Sequence, residues 1–385
     1  MSSKTVRVPV NPLMLRWARE RAAQDLNALE KTFPDIAAWE RGDKQPTLKQ
    51  LERFARKTHV PFGYLFLDAP PDEPLPIPDF RTMHGVSRRP SPNLLDTIYI
   101  CQQRQEWYRN YLQTLGAEAL PFVGSATLND EPIQVAADIR ERLQFDLEER
   151  RKMSSWTEAL RRFVNQVEGA GVLVMSSGIV GSNTHRKLDP QEFRGFALVD
   201  DLAPVVFINA ADTKAAQMFT LAHELAHVWL GESGVSDVQV SAFPNEKVEK
   251  WCNQVAAELL VPATALAQIY QSGEDLRHEL DRLARYFKVS TLVILRRIYE
   301  SGALSRGAFW QAYEDELAHL RQFERRGAGG GDFYRTLNTR VSKSFAMAIV
   351  TSTLEGQTLF RDAYQMLGIR THETFSQFAQ RLGVA

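Results

Sequence analysis

Residues 219–230 read F-T-L-A-H-E-L-A-H-V-W-L. His223 and His227 are four apart, so on a helix they stand one turn from each other on the same face. Two imidazoles so placed can share one divalent ion, and Glu224 beside them can act as the base for an attacking water. That is the chemistry of a zinc-dependent hydrolase, most simply a peptidase. The opposing reading is two histidines that fell at this spacing on an ordinary helix. In a chain of 385 residues with eight histidines, that coincidence arises in roughly one sequence in a hundred. The flanking Phe219, Leu221, Ala222, Leu225, Ala226, Val228, Trp229 and Leu230 are apolar, so the helix is buried. Burying two histidines and a glutamate there is costly unless they pair or coordinate a metal.

A third ligand is expected from a neighbouring helix. Residues 246–262, E-K-V-E-K-W-C-N-Q-V-A-A-E-L-L-V-P, carry Val248, Trp251, Cys252, Val255, Ala256, Leu259 and Leu260 at helical spacing, and Pro262 ends the run. Glu246 sits at the solvated amino end. Glu249 lies four before Asn253, so one face offers a carboxylate and an amide that could orient a histidine. Glu258 lies among apolar residues and competes for the same role.

The strings T-L-A-H-E-L-A-H-V-W-L and E-K-W-C-N-Q-V-A-A-E-L-L-V-P resemble the ImmA/IrrE family of metallopeptidases. Its second motif has the form E-x-x-A-N-x-F-A-A-x-L-L-x-P, with Cys252 here in place of the usual alanine and Val255 in place of phenylalanine. The resemblance implies zinc on His223, His227 and Glu249, with Glu224 as general base. It also implies site-specific cleavage of helix-turn-helix repressors rather than general digestion.

These residues need elements to position them. G-V-L-V-M-S (171–176) reads as a short strand, and 194–209 as two strands around a D-D turn. A small sheet before the zinc helix provides an edge on which an extended peptide can lie. Thr213 or Asp212 can cap that helix. Residues 92–170 read as helical throughout, with Trp107, Tyr108, Tyr111 and Leu112 as core. Residues 280–298 have the spacing of a helix-turn-helix, turning near Lys288, for which packing is favoured over DNA reading. The expected class is α+β: a mainly helical, zincin-like core with a small sheet and an active-site helix.

Residues 1–60 carry twelve Lys and Arg against seven Asp and Glu, a net of +5. A helix is expected from the Thr47 N-cap, burying Leu48, Leu51, Phe54 and Ala55. W-E-R-G-x-x-x-P-T-L-x-Q-L (39–51) resembles the back half of an Xre-type helix-turn-helix domain, which implies DNA contact through Arg41, Lys44 and Lys49. The match departs from that pattern upstream. The chain is about four residues short before Trp39, and the recognition helix expected near 33–41 is poor in base-reading side chains. A-P-P-D-E-P-L-P-I-P-D-F-R-T (69–82) places five prolines in nine residues, which favours an extended strap. Its P-I-P-D-F-R-T ending resembles a segment of the Xre-plus-peptidase subgroup.

The expected organisation is a helix-turn-helix domain over 1–68, a Pro-rich linker over 69–91, a peptidase domain over 92–303 and a helical region over 304–385. Net charge is −1 and the two cysteines, Cys101 and Cys252, are far apart. No charge bias, signal core or membrane-length run is present, so a cytoplasmic protein with no membrane partner is expected. Two readings compete. One is a zinc endopeptidase acting on a regulator encoded nearby, in a stress, mobile-element or toxin–antitoxin setting. The other is a DNA-binding regulator whose zinc is structural; an open fourth coordination position would favour the enzyme.

Overall fold

The computed structural model describes residues 6–80, 90–236, 247–323 and 333–384. The chain divides into two compact units, one of Met1–Pro76 with Arg88–Asp96 and one of Ile77–Ser87 with Thr97–Ala385. The division falls inside the Pro-rich stretch rather than at its ends.

The first unit contains α1 (Pro12–Arg21), α2 (Leu26–Glu30), α3 (Ile36–Arg41) and α4 (Leu48–Thr58). Each has a local reason to start or stop. Asn11 and Asp25 cap α1 and α2, and Gly42 ends α3 in the left-handed region at φ 83°. Thr47 and Gln50 form a capping box on α4. Trp39, Phe33, Leu51 and Phe54 meet in the core. Leu48, expected inside, is 45% exposed. It shares a face with Leu51 and Ala55 but is the first residue of α4, at the end of the helix. The helix expected near 33–41 is only the six residues of α3, and α2 is a single turn.

α5 (Pro92–Thr114) begins within the first unit and continues from Thr97 in the second, where α6 (Pro132–Leu143), α7 (Leu147–Lys152) and α8 (Trp156–Gly169) follow. The expectation of continuous helix over 92–170 fails at 115–131, where Gly116, Pro121 and Gly124 interrupt it. That stretch closes the carboxyl end of the helix over 214–230.

The sheet follows: β1 (Leu173–Ser177), β2 (Gly195–Leu198), β3 (Val205–Asn209) and, after α9 (Lys214–Leu230), β4 (Gly234–Ser236). Its order is β1-β3-β2-β4. β1 pairs in parallel with β3, while β2 runs antiparallel to both β3 and β4. The first three are the expected strands; β4 is additional. Thr213 caps α9 by accepting from the Ala216 amide.

α10 (Lys247–Leu260) lies against α9 and α6. Pro262 then caps α11 (Ala263–Ile269). α12 (Leu276–Phe287) and α13 (Thr291–Glu300) form the helix-turn-helix-like pair, turning through Lys288 at φ 54°. Val293, Ile298 and Arg297 of α13 are buried. Arg297 pairs with Glu258 and donates to the Val261 carbonyl at 2.9 Å. This pair is built to pack.

After α14 (Arg306–Phe323), the glycine-rich run 327–331 lies outside the described residues. α15 (Phe333–Val341), α16 (Lys343–Leu354), α17 (Phe360–Leu367) and α18 (His372–Leu382) complete the chain. α15 and α16 pack on β1. From α5, buried Arg104 donates to the Met366 carbonyl at 3.0 Å and the Arg340 carbonyl at 3.3 Å. Burial lowers its pKa to about 10, which still leaves it charged at neutral pH.

Candidate active site

α9 is apolar on nearly every side because it is packed by α10, α8, β2 and β3. Its last carbonyls are met from the 115–131 stretch. The Gly124 amide donates to Val228 at 3.0 Å and the Ala126 amide to Trp229 at 2.9 Å. Phe122 stacks on Trp229 with centroids 4.4 Å apart. The helix that carries the motif is thereby held at both ends.

His223, Glu224 and His227 are all fully buried. The His223 and His227 Nε2 atoms are 3.1 Å apart. Glu249 Oε2 lies 3.3 Å from His223 Nε2, and Oε1 lies 3.2 Å from His227 Nε2. His223, His227 and Glu249 form a cluster able to hold a metal. Its separations fit one: ligands about 2.0–2.1 Å from a tetrahedral zinc stand about 3.3 Å from each other. The donor chemistry agrees, with two imidazoles and one carboxylate.

The supporting contacts agree as well. His223 Nδ1 donates to Asn253 Oδ1 at 3.0 Å, which leaves the Nε2 lone pair facing the cluster. Ser236 Oγ on β4 lies 3.4 Å from both His227 Nε2 and Glu249 Oε1. Burial pushes the Glu249 carboxyl up, but the charge and hydrogen bonds of His223 and His227 outweigh it and bring it down to about 2. For His227, burial dominates and lowers its pKa.

Both carboxylate oxygens of Glu224 are buried without a hydrogen-bond partner among the described residues. Burial, and then the charge of Glu249, push its pKa well above the usual carboxylate range; Ser236 opposes them. Gly195, across from Ser236 on β2, makes room for it. A Cβ there would lie 2.9 Å from Glu224 Oε1 and 2.6 Å from Thr220 Cγ2.

Glu258, the competing carboxylate, faces away. It is nine residues from Glu249, about half a turn out of phase on a helix. Its side chain is engaged by Arg297 and by the Ala263 amide at 3.2 Å.

Of the residues expected to meet DNA, Arg41 pairs with Asp43 at 2.8 Å and Lys44 with Asp35 at 2.5 Å, while Lys49 is exposed. His185 is exposed. His278 and Tyr286 line a groove of their own on α12 with Asp281, Arg282 and Arg285, about 390 Å³ in volume.

The sequence reading missed Gly195, Ser236 and Phe80. Only the first left a signal, a glycine within a strand pattern, which marks close approach of another group. Phe80 stacks on the His227 ring with centroids 5.5 Å apart and planes 18° from parallel.

Residues 167–299 match the IrrE N-terminal-like domain, a peptidase family. The match takes in the sheet, α9, α10 and the α12–α13 pair. The radiation response metalloprotease IrrE of Deinococcus radiodurans is 32% identical over 102 residues, which cover 25% of this chain and 31% of that protein. The chain therefore spans about a third of that curated relative's length. Residues 341–381 match a domain of unknown function. No solved structure is a significant match. Among the described residues, no helix is long and apolar enough to cross a membrane.

Proposed function

We propose that the chain is a zinc-dependent, site-specific endopeptidase that cleaves a partner regulator, a helix-turn-helix repressor or antitoxin-like protein encoded nearby. The observation that carries this reading is the carboxylate of Glu224, buried and unpartnered beside His223, His227 and Glu249. A purely structural site would give that carboxylate no work and would be closed by a fourth protein ligand. Among the described residues, no fourth His, Cys, Asp or Glu joins the three.

Zinc, when bound, supplies polarisation of the scissile carbonyl and a lowered pKa for the attacking water. His223 and His227 would hold it through their Nε2 atoms and Glu249 through its carboxylate, while Asn253 fixes the His223 ring. Glu224 takes a proton from the attacking water and returns it to the leaving amine. The packed walls of α9 and α10 keep bulk water from that exchange.

The likeness to a radiation response metalloprotease supports a stress setting. The first unit is assigned to partner capture. DNA phosphates could also be held there by Arg41, Lys44 and Lys49, in competition with Asp43 and Asp35.

The test is a Glu224→Gln variant. It should retain zinc at wild-type stoichiometry and lose about 10²–10⁴-fold in cleavage rate, the contribution of one positioned base. Metal analysis and cleavage of proteins encoded beside the gene provide the readouts. A zinc-loaded wild type that cuts none of them would end the proposal.

A further inference from the structure

We infer that Pro78–Phe80 is an internal competitor for the peptide-docking edge of this site, with the Phe80 ring filling an aromatic subsite over Gly234 and His227. The inference rests on the peptidase reading above.

β4 is the last strand of the sheet, and β2 occupies its inner side. Its outer side is taken by the chain itself. The Val235 amide donates to the Pro78 carbonyl at 3.0 Å, and the Phe80 amide donates back to the Val235 carbonyl at 3.0 Å. Asp79 and Val235 form a parallel bridge. This is strand addition, the way an extended peptide binds an exposed sheet edge.

The side chains carry the argument to the catalytic centre. On one flank of Val235, Ser236 reaches toward His227 and Glu249. On the other, Gly234 is bare, and a Cβ there would come within 2.2 Å of Phe80 Cε2. The ring settles on that bare backbone and stacks on His227. A strand-paired backbone with an aromatic side chain on a candidate metal ligand describes an occupant of the site, supplied here from the protein's own sequence. An incoming partner must offer the same features: an extended segment with a large aromatic residue.

The attachment is light enough to be displaced. Both backbone groups of Val235 bond the strap, but proline at 78 has no amide hydrogen with which to extend the ladder toward Ser233. The five prolines of 70–78 hold the strap extended before it pairs, which lowers the entropy lost on docking and on redocking.

The full chain loaded with cobalt(II) provides a test that needs no turnover. Phe80→Ala removes the ring; Phe80→Pro also removes the amide that bonds to Val235. Cobalt removal by excess EDTA should be about tenfold faster in Phe80→Pro than in wild type, with Phe80→Ala between them. A fluorescent peptide of residues 74–82, P-L-P-I-P-D-F-R-T, should bind Phe80→Pro at micromolar concentration and leave wild type unlabelled. The inference is overturned if both variants release cobalt within twofold of wild type and neither binds the peptide. It also falls if both variants unfold, since the strap would then be an ordinary structural strand. Faster release and peptide binding without any cleavage of a regulator would sink the peptidase reading alone.

Discussion

The α9–α10 pair and the α3 region with the turn that follows it both carry charged and polar side chains, and they treat them in opposite ways. In the first, His223, Glu224 and His227 are fully buried, and the Glu224 oxygens and His227 Nδ1 have no partner among the described residues. In the second, Arg41 and Lys44 are neutralised by Asp43 and Asp35 near the surface. Each buried, unsatisfied group costs about 1–3 kcal/mol, whereas an exposed ion pair is worth about 0–1. The first region is incomplete without something added to it. The second is complete by itself, and any ligand must first displace its internal partners.

The two glutamates of α10 offer the hardest test of that contrast. Glu249→Ala should abolish stoichiometric zinc, read by metal analysis, because one of three ligands is gone. Glu258→Ala should keep the zinc but lose about 1–3 kcal/mol in urea unfolding, since buried Arg297 is left with only Glu300 and the Val261 carbonyl. Loss of zinc in both variants would mean that the faces of α10 are wrongly assigned.

Gly195→Ala sharpens the role of Glu224. The added methyl must push Thr220, the Glu224 carboxylate and the Phe207 carbonyl aside, so cleavage should fall about 100-fold with zinc retained. Unchanged cleavage would show that Glu224 need not sit where it does. Asn253→Ala should weaken zinc binding about 10–100-fold in competition with a chromogenic chelator; equal affinity would remove the amide from the site's support. The smallest effects belong to the other region. Arg41→Ala and Lys44→Ala should each change stability by no more than about 0.5 kcal/mol. If the first unit binds DNA, Lys49→Ala should lower the salt slope of binding by about one, and an unaltered slope would take Lys49 off the DNA face.

The legibility of these regions in the sequence follows the distance over which each is decided. The His223–His227 spacing is local: one helical turn fixes it, and burial could be read from the apolar neighbours. The three strands before α9 were equally visible as short β runs. The choice between Glu249 and Glu258 was not local. Their nine-residue spacing puts them on opposite faces, but only the packing of α10 on α9 says which face meets the histidines; the family resemblance pointed to Glu249 where periodicity could not.

Phe80 and β4 were beyond reach for the same reason. β4 is three residues long, and its partner strap lies more than 150 residues earlier in the chain. The 115–131 stretch was misread although Gly116, Pro121 and Gly124 marked it. Its Phe122 and Ala126 are buried by closing another helix rather than by forming one.

The contacts of Arg104 bear on how this protein can be cut or recombined. Its charged head lies inside the second unit, and two of its acceptors, the carbonyls of Arg340 and Met366, come from the tail. A chain shortened before residue 340 would keep the cation and lose both. The segment 341–381, recognisable as a separate domain family, is therefore tied to α5 through the Met366 carbonyl. It packs against α5 inside the second unit, and grafting, truncation or exchange must carry α5 and the tail together.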